Sequence, residues 1–169
     1  MVRAGDSTER RGRDEYGADL MAVYRTTFRI HAPSEVVWEV LTDFDRYPEW
    51  NPSLPSIAGD VEVGSTVSLT LAMPGRPSPK VKAKLTEVDP QRRLRWHGNA
   101  GAEWLFNGDR DFVIEPVDEG EVTFTHVEDV RGALFPLFRL IMGSATQRHH
   151  DGLNAALKQR AEAVAQRRR

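Results

Sequence analysis

The chain has 169 residues, with 23 Lys or Arg against 25 Asp or Glu and a net charge of -2. This size and composition predict one globular domain, and the near-neutral charge gives no overall positive field for nucleic acid or an anionic surface. The absence of cysteine from the sequence excludes disulfides, thiolate nucleophiles and cysteine-ligated metals. The most apolar stretch, residues 133–143, contains Arg139 and is too short to span a bilayer. We therefore expect a cytoplasmic protein with no nucleic-acid partner and no integral membrane association.

The first 20 residues mix four Arg with five acidic residues and show no hydrophobic periodicity. Such a segment cannot bury enough apolar surface to become ordered, and it lacks the apolar centre of a secretory signal. We predict a disordered polar leader over residues 1–20 and a single domain over residues 21–169.

The first strand and the first helix are predicted directly after this leader. Residues 24–31 alternate between apolar-side positions, from Tyr24 to Ile30, and polar ones, which indicates a half-buried strand. Residues 32–35 then read Ala-Pro-Ser-Glu, which predicts a helix start with Ser34 as candidate N-cap, and apolar residues at helical spacing continue to Leu41. The aromatic and proline-rich residues 44–52 predict an irregular loop.

Six further strands and one long helix complete the predicted fold. Gly, Pro, Asn and Asp separate short alternating runs over residues 56–59, 66–73, 81–88, 93–99, 110–117 and 121–130. From Leu134 to about residue 166, apolar residues at helical spacing predict a single amphipathic helix. The predicted buried stripe of this helix contains Leu134, Phe138, Ile141, Ala145, His149, Gly152, Ala156 and Leu157.

The alternation gives the predicted sheet one apolar face and one charged face. Seven strands at about 4.8 Å spacing make a sheet roughly 30 Å wide, whereas one helix covers about 10 Å of it. The sheet is therefore predicted to curl around the long helix, a geometry that favours an interior pocket. The predicted lining residues are Trp50, Leu69, Leu71, Met73, Trp96, Arg110, Phe112, Phe124, His126, Glu128, Ile141, Ala145 and His149.

Several short segments in this order carry a resemblance to a known family. They are residues 32–38 (APSEVVW), 47–52 (YPEWNP), 88–90 with 94–96, and 126–128 running into Gly132. The chain resembles the START-like superfamily, specifically its SRPBCC or polyketide cyclase/dehydrase-like branch. The resemblance implies an α+β helix-grip fold, in which a seven-stranded curved antiparallel sheet wraps around a long C-terminal helix and a short helical segment follows the first strand. It also implies an apolar cavity for a small molecule or lipid, in a family that includes ligand carriers and aromatic cyclases.

Two polar residues interrupt the apolar face of the last strand. Period-two alternation from Phe124 places His126 and Glu128 inward. A His beside a carboxylate is suited to act as a general base with an orienting partner, or to recognise a polar group of a ligand. The structural alternative is a satisfied pair that contacts Arg110 or Arg131. Arg110 lies on the same face and is predicted to pair with Glu128, because an unpaired charge on an apolar wall is costly.

Aromatic and histidine residues outside the strands give two further hypotheses. Tyr47 and Trp50, with Trp104 and Phe106 opposite, are candidates for a gate over the cavity mouth, and the alternative is that they fill the core. The neighbouring residues His149 and His150 point about 100° apart on a helix and cannot easily chelate one ion. We expect no metal and no other cofactor.

The main functional prediction is a binding module for a hydrophobic or aromatic small molecule, lipid-like or polyketide-like, with Arg110, His126 and Glu128 at the polar end. The alternative is a cyclase/dehydrase-type enzyme in which the catalytic pair His126 and Glu128 moves protons. A third hypothesis is an interaction domain for a partner protein, with a vestigial cavity. We expect a monomer or a homodimer.

Overall fold

The computed structural model of the protein describes residues 20–72, 78–99, 101–102, 104–142 and 144–168. Residues 1–19 of the predicted leader over residues 1–20 lie outside this set, and so does the predicted lining residue Met73. The side chains of Ile141 and Ala145, two other predicted lining residues, also lie outside it.

Seven antiparallel strands form one sheet within the described residues. The strands are β1 (Met21–Ile30), β2 (Ser56–Ala58), β3 (Thr66–Thr70), β4 (Lys80–Asp89), β5 (Arg93–Asn99), β6 (Asn107–Asp118) and β7 (Glu121–Arg131). Their order across the sheet is β1-β7-β6-β5-β4-β3-β2. The helices are α1 (Ser34–Thr42), α2 (Tyr47–Trp50), α3 (Phe135–Met142) and α4 (Ser144–Arg167), and a 3-10 turn over Phe44–Arg46 precedes α2. This arrangement confirms the predicted seven-stranded helix-grip fold.

Strand register brings the inward polar residues side by side. In the β6-β7 pair, Arg110 lies opposite Glu128 and Phe112 lies opposite His126. On the other side of β7, Thr26 of β1 lies opposite His126. Because directly paired residues point to the same face of a sheet, these five side chains share the face that packs against α4.

The segment predicted as an irregular aromatic loop contains a 3-10 turn and the short helix α2. That prediction was wrong because Pro48 lies in the first turn of α2, where the missing N–H has no partner to lose. Ser34 is also not an N-cap: it is the first residue of α1, and the carbonyl of Pro33 accepts the backbone N–H groups of Val36 and Val37.

The predicted long helix is divided into α3 and α4, and its predicted buried stripe has the wrong phase at the start of α4, although Leu157 is buried as predicted. The buried residues of α4 are His150, Leu153, Asn154, Leu157, Ala161 and Ala165. His149 is half-buried instead. The prediction extrapolated helical spacing from Leu134, which precedes α3, and from Phe138, which lies in α3. Because α3 and α4 are separate helices, the spacing of the first does not determine which face of the second is buried.

The C-terminal half of α4 is tied to the sheet and to α1. Lys158 Nζ donates to the carbonyl of Arg29 at 2.6 Å, and the backbone N–H of His31 donates to Glu162 at 2.9 Å. Leu157 and Ala161, both 0% exposed, pack into the core between these polar contacts. No helix of the described part of the chain is long and apolar enough to cross a bilayer.

Candidate functional site

Five polar side chains meet between the sheet and α4. They are Arg110 on β6, His126 and Glu128 on β7, and His150 and Asn154 on α4, and we call them the polar cluster. His126 and His150 are 0% exposed, Asn154 is 4% exposed and Arg110 is 7% exposed. Since the neighbouring inward positions are apolar, the cluster is a buried polar site on an otherwise hydrophobic surface.

A buried ion pair joins β6 to β7. Arg110 Nη2 lies 2.6 Å from Glu128 Oε1, which confirms the predicted pairing. Burial raises the pKa of the Glu128 carboxyl, but Arg110 and, to a smaller extent, the two histidines lower it by more, so the pKa lies well below its ordinary value. The carboxylate is therefore ionised at neutral pH, and the Arg110 charge is already compensated.

The two histidines of the cluster stack on each other and use one ring nitrogen each. His126 Nδ1 lies 2.8 Å from Asn154 Oδ1, an acceptor, so Nδ1 donates and the Nε2 lone pair is free. His150 Nε2 lies 3.1 Å from Thr26 Oγ1, and its Nδ1 lies 3.6 Å from Glu128 Oε2. The ring centroids are 3.9 Å apart with planes 9° from parallel.

The electrostatic environment keeps His126 neutral. Burial lowers the pKa of His126 well below its usual range, and the nearby His150 and Arg110 lower it further. Its Nε2 has no hydrogen-bond partner in the structure, nor has Asn154 Nδ2. The cluster thus contains a neutral imidazole with an unused buried acceptor, which is a group able to bind a hydroxyl or to take up a proton.

Metal-ligand atoms of His126, Glu128 and His150 all lie within 4.8 Å of one another. Metal coordination requires in-plane lone pairs that converge on one point, whereas stacked rings direct them side by side. The Glu128 carboxylate is also paired with Arg110, whose positive charge would repel a divalent metal ion. The arrangement therefore favours a hydrogen-bonding site over a metal site.

Sequence reasoning missed His150 and Asn154. Both share the face of α4 that carries Leu153 and Leu157, at spacings of three and four residues. This spacing, examined within α4 alone, is the signal that would have found them.

Five of the predicted lining residues form a packed core next to the cluster. Leu69, Trp96, Phe112 and Phe124 are at most 5% exposed, and Leu71 is half-buried. The rings of Trp96 and Phe112 are 5.2 Å apart, and those of Phe112 and Phe124 are 5.9 Å apart. These side chains therefore pack against one another in the middle of the inner face of the sheet, and the polar cluster lies nearer the end of β7 that leads into α3.

The aromatic residues predicted as a gate have different roles. Tyr47 is 1% exposed, and its hydroxyl donates to the carbonyl of Leu41 at 2.7 Å. Phe106 packs against Phe138 of α3, with ring centroids 4.8 Å apart. Tyr47 is thus a core residue, and the core alternative describes it correctly.

Trp50 lies at the outer surface rather than against the polar cluster. It is half-buried, packs against Tyr47 with the ring centroids 4.8 Å apart, and lines a groove of about 310 Å³ together with Arg160 of α4. His149 is half-buried beside the polar cluster: its backbone carbonyl accepts from Ser53 Oγ at 2.8 Å, and burial, with the nearby Arg110 charge, lowers the pKa of its side chain to about 4.

Comparison with known proteins gives the chain a family. The model of the family described as polyketide cyclase / dehydrase and lipid transport matches residues 21–162, which is most of the chain. The chain belongs to this family. No curated protein matches the sequence significantly.

Solved structures of polyketide cyclase/dehydrase-like and START proteins share the fold. The Zhui aromatase/cyclase from a Streptomyces species superposes with a TM-score of 0.68 at 21% identity, over 85% of this chain and 96% of that one. A START superfamily protein from Mycobacterium smegmatis gives 0.64 at 19% identity, over 84% and 98%. Norcoclaurine synthase from Thalictrum flavum, in complex with dopamine and hydroxybenzaldehyde, gives 0.60 at 15% identity, over 83% and 86%. These matches confirm the predicted START-like, helix-grip fold.

Proposed function

We propose that this family member binds a hydrophobic or aromatic small molecule between its sheet and its C-terminal helices, with the polar cluster at the polar end of the ligand. The observation that carries the proposal is the unpartnered His126 Nε2, which is fully buried on an apolar face. Leaving such a group without a hydrogen bond costs about 1–3 kcal/mol. A bound ligand would remove this cost, and the family's description as cyclase and lipid-transport proteins supports the same function.

The proposed ligand reaches the cluster from the α3 end. In the structure the two stacked histidines are closed to solvent, while the Glu128 side chain is 18% exposed. Helix α3 leaves Leu137 and Leu140 exposed, at 53% and 81%. These two side chains add no packing energy, and α3 is held mainly by Phe135 and by the contact of Phe138 with Phe106, so we expect it to separate from the sheet more easily than the C-terminal half of α4.

Native mass spectrometry of the purified full-length protein, followed by organic extraction, tests the proposal. We expect an additional bound mass that disappears on extraction and that has an aromatic or aliphatic body. His126→Phe should retain less of this ligand, because it removes the unpartnered Nε2 that the ligand is proposed to contact. Glu39→Gln, at an exposed ion pair with Arg168, is the matched control and should retain all of it.

Protein that remains free of ligand and that also fails to bind added fatty acids and aromatic probes would contradict the proposal.

A second candidate function is cyclase/dehydrase-type catalysis in the same site. It is favoured by the neutral His126 with a free Nε2, since an unprotonated imidazole can accept a proton from a C–H or O–H group of a substrate. Turnover of aromatic polyketide intermediates, lost in His126→Gln while ligand binding persists, would support it. Binding without any turnover across such a panel would leave the carrier function alone.

We further propose that the protein acts in the cytoplasm as a monomer or homodimer and without nucleic acid. The net charge of -2 and the absence of cysteine in the sequence support this setting. Light scattering coupled to size-exclusion chromatography measures the oligomeric state, and a larger assembly would contradict the proposal.

A further inference from the structure

We propose that the polar cluster selects an uncharged ligand that carries a hydroxyl group, such as a phenol or an alcohol, and rejects carboxylates. This inference rests on the proposed function and specifies the chemistry of its ligand. Two features of the cluster carry it: the compensated charge of Arg110 and the hydrogen-bonding state of His126.

The first feature is the balance of charge at the site. Among the described residues, Arg110 is the buried cation, and Glu128 already occupies it at 2.6 Å. A ligand carboxylate would lie beside the ionised Glu128 and would find no free positive charge. Bringing an uncompensated anion into a buried site is far more costly than bringing in a neutral hydroxyl.

The second feature is the direction of the free hydrogen bond. His126 is neutral, and its Nδ1–H is used by Asn154 Oδ1. The remaining Nε2 is therefore an acceptor, so it requires a ligand group that donates a hydrogen. A hydroxyl donates one, and its oxygen can also accept from the other unpartnered group of the cluster, Asn154 Nδ2, whereas a carboxylate and a ketone can only accept and a plain aromatic ring does neither.

The surroundings of Nε2 favour a flat ligand over an aliphatic one next to this hydroxyl. The His126 ring lies 4.5 Å from the ring of Phe112 and 3.9 Å from that of His150. Aromatic side chains make favourable contacts with a further ring at centroid distances of about 4.5–7 Å. We therefore take a phenolic ring as the probe of the site.

Equilibrium dialysis of the full-length protein against β-naphthol, β-naphthoate and naphthalene at neutral pH tests the inference. These probes share one ring system and differ in a hydroxyl, a carboxylate and a hydrogen. We expect naphthol to bind about tenfold more tightly than naphthalene, which corresponds to about 1.4 kcal/mol for one satisfied buried acceptor. We expect naphthoate to bind more weakly than naphthalene.

Variants connect the selectivity to His126. In His126→Phe the preference for naphthol over naphthalene should vanish while naphthalene still binds. The double variant His126→Phe/Asn154→Leu gives the same readout if the single variant folds poorly, because it also removes the amide left without its partner. His31→Phe is the control, since the His31 side chain is 66% exposed at the other end of the sheet, and it should keep the preference.

The outcomes separate this inference from the proposed function. Equal binding of naphthol and naphthalene, or stronger binding of naphthoate, would overturn the hydroxyl selectivity and leave the hydrophobic binding function standing. Binding of none of the three probes would reject both the selectivity and the aromatic-ligand function. Because the wild-type probe series decides these outcomes, the test does not depend on the stability of any variant.

Discussion

Breaking the Arg110–Glu128 ion pair from one side should destabilise the protein more than removing both charges. The Arg110 side chain is 8% exposed and that of Glu128 is 18% exposed, with 2.6 Å between them. Glu128→Gln leaves a buried guanidinium without a counter-charge, and such changes cost about 3–5 kcal/mol. The partial exposure of Glu128 places the expected loss at the lower end, about 3 kcal/mol.

The double variant Arg110→Met/Glu128→Gln should lose less than Glu128→Gln alone, because no uncompensated charge remains. Urea unfolding followed by tryptophan fluorescence measures the free energy of unfolding of each variant. Glu39→Gln is the control: its pair with Arg168 is equally short, at 2.7 Å, but the side chains are 50% and 48% exposed. We expect it to lose less than about 1 kcal/mol. Additive losses in the double variant, or equal losses at Glu39 and Glu128, would refute the reasoning.

Three further predictions concern pH, backbone and metal. Folding lowers the pKa of His126 well below 6.5 and that of His149 to about 4, so both histidines take up protons on unfolding and stability is lost as the pH falls below about 6. Each contributes a loss of about 1.4 kcal/mol per pH unit to urea unfolding at a series of pH values, and His126→Gln should remove about half of the slope and leave the part due to His149. Gly132 has φ +136°, and an added Cβ would lie 2.5 Å from the carbonyl oxygen of Leu105. Gly64 also has a positive φ, +92°, but has open space around it. Gly132→Ala should therefore lower the free energy of unfolding by about 1–3 kcal/mol more than Gly64→Ala. Added zinc should leave the Tm unchanged. If the stacked histidines formed a metal site, zinc at a hundred times its Kd would stabilise the protein by about 2.7 kcal/mol. Such a stabilisation would contradict the interpretation of the cluster as a hydrogen-bonding site.

The sequence predicted well whatever depends on strand alternation. Successive side chains of a strand point to opposite faces, so the inward placement of Arg110, His126 and Glu128 follows from a count of two along each strand. Their pairing also follows, since an unpaired charge on an apolar wall is costly. The seven strands and their turns are local patterns, and the structure confirms them.

The parts of the site on α4 depend on information that local patterns do not contain. The phase of α4 is set by its own packing, and extrapolation from α3 favoured His149 over His150. The stack of His150 on His126 joins residues far apart in the chain and has no sequence signal. An asparagine such as Asn154 is common on the exposed surface of helices, so its residue type does not indicate a buried site. Its amide oxygen has a partner because the fold places His126 next to it.

The exposed apolar surface of α3 has a consequence for how the protein moves. The helix α4 is fixed at its C-terminal half by Lys158 and Glu162 and at its N-terminal half by the hydrogen bonds of the polar cluster, whereas α3, which directly precedes α4, leaves Leu137 and Leu140 exposed. The chain can therefore undergo sub-global unfolding at the α3 end while the remainder stays native. Amide hydrogens of α3 should exchange with solvent through this partial opening, and those around Leu157 only through global unfolding. Exchange of ligand would then proceed at the rate of a local fluctuation and would be uncoupled from the lifetime of the folded domain.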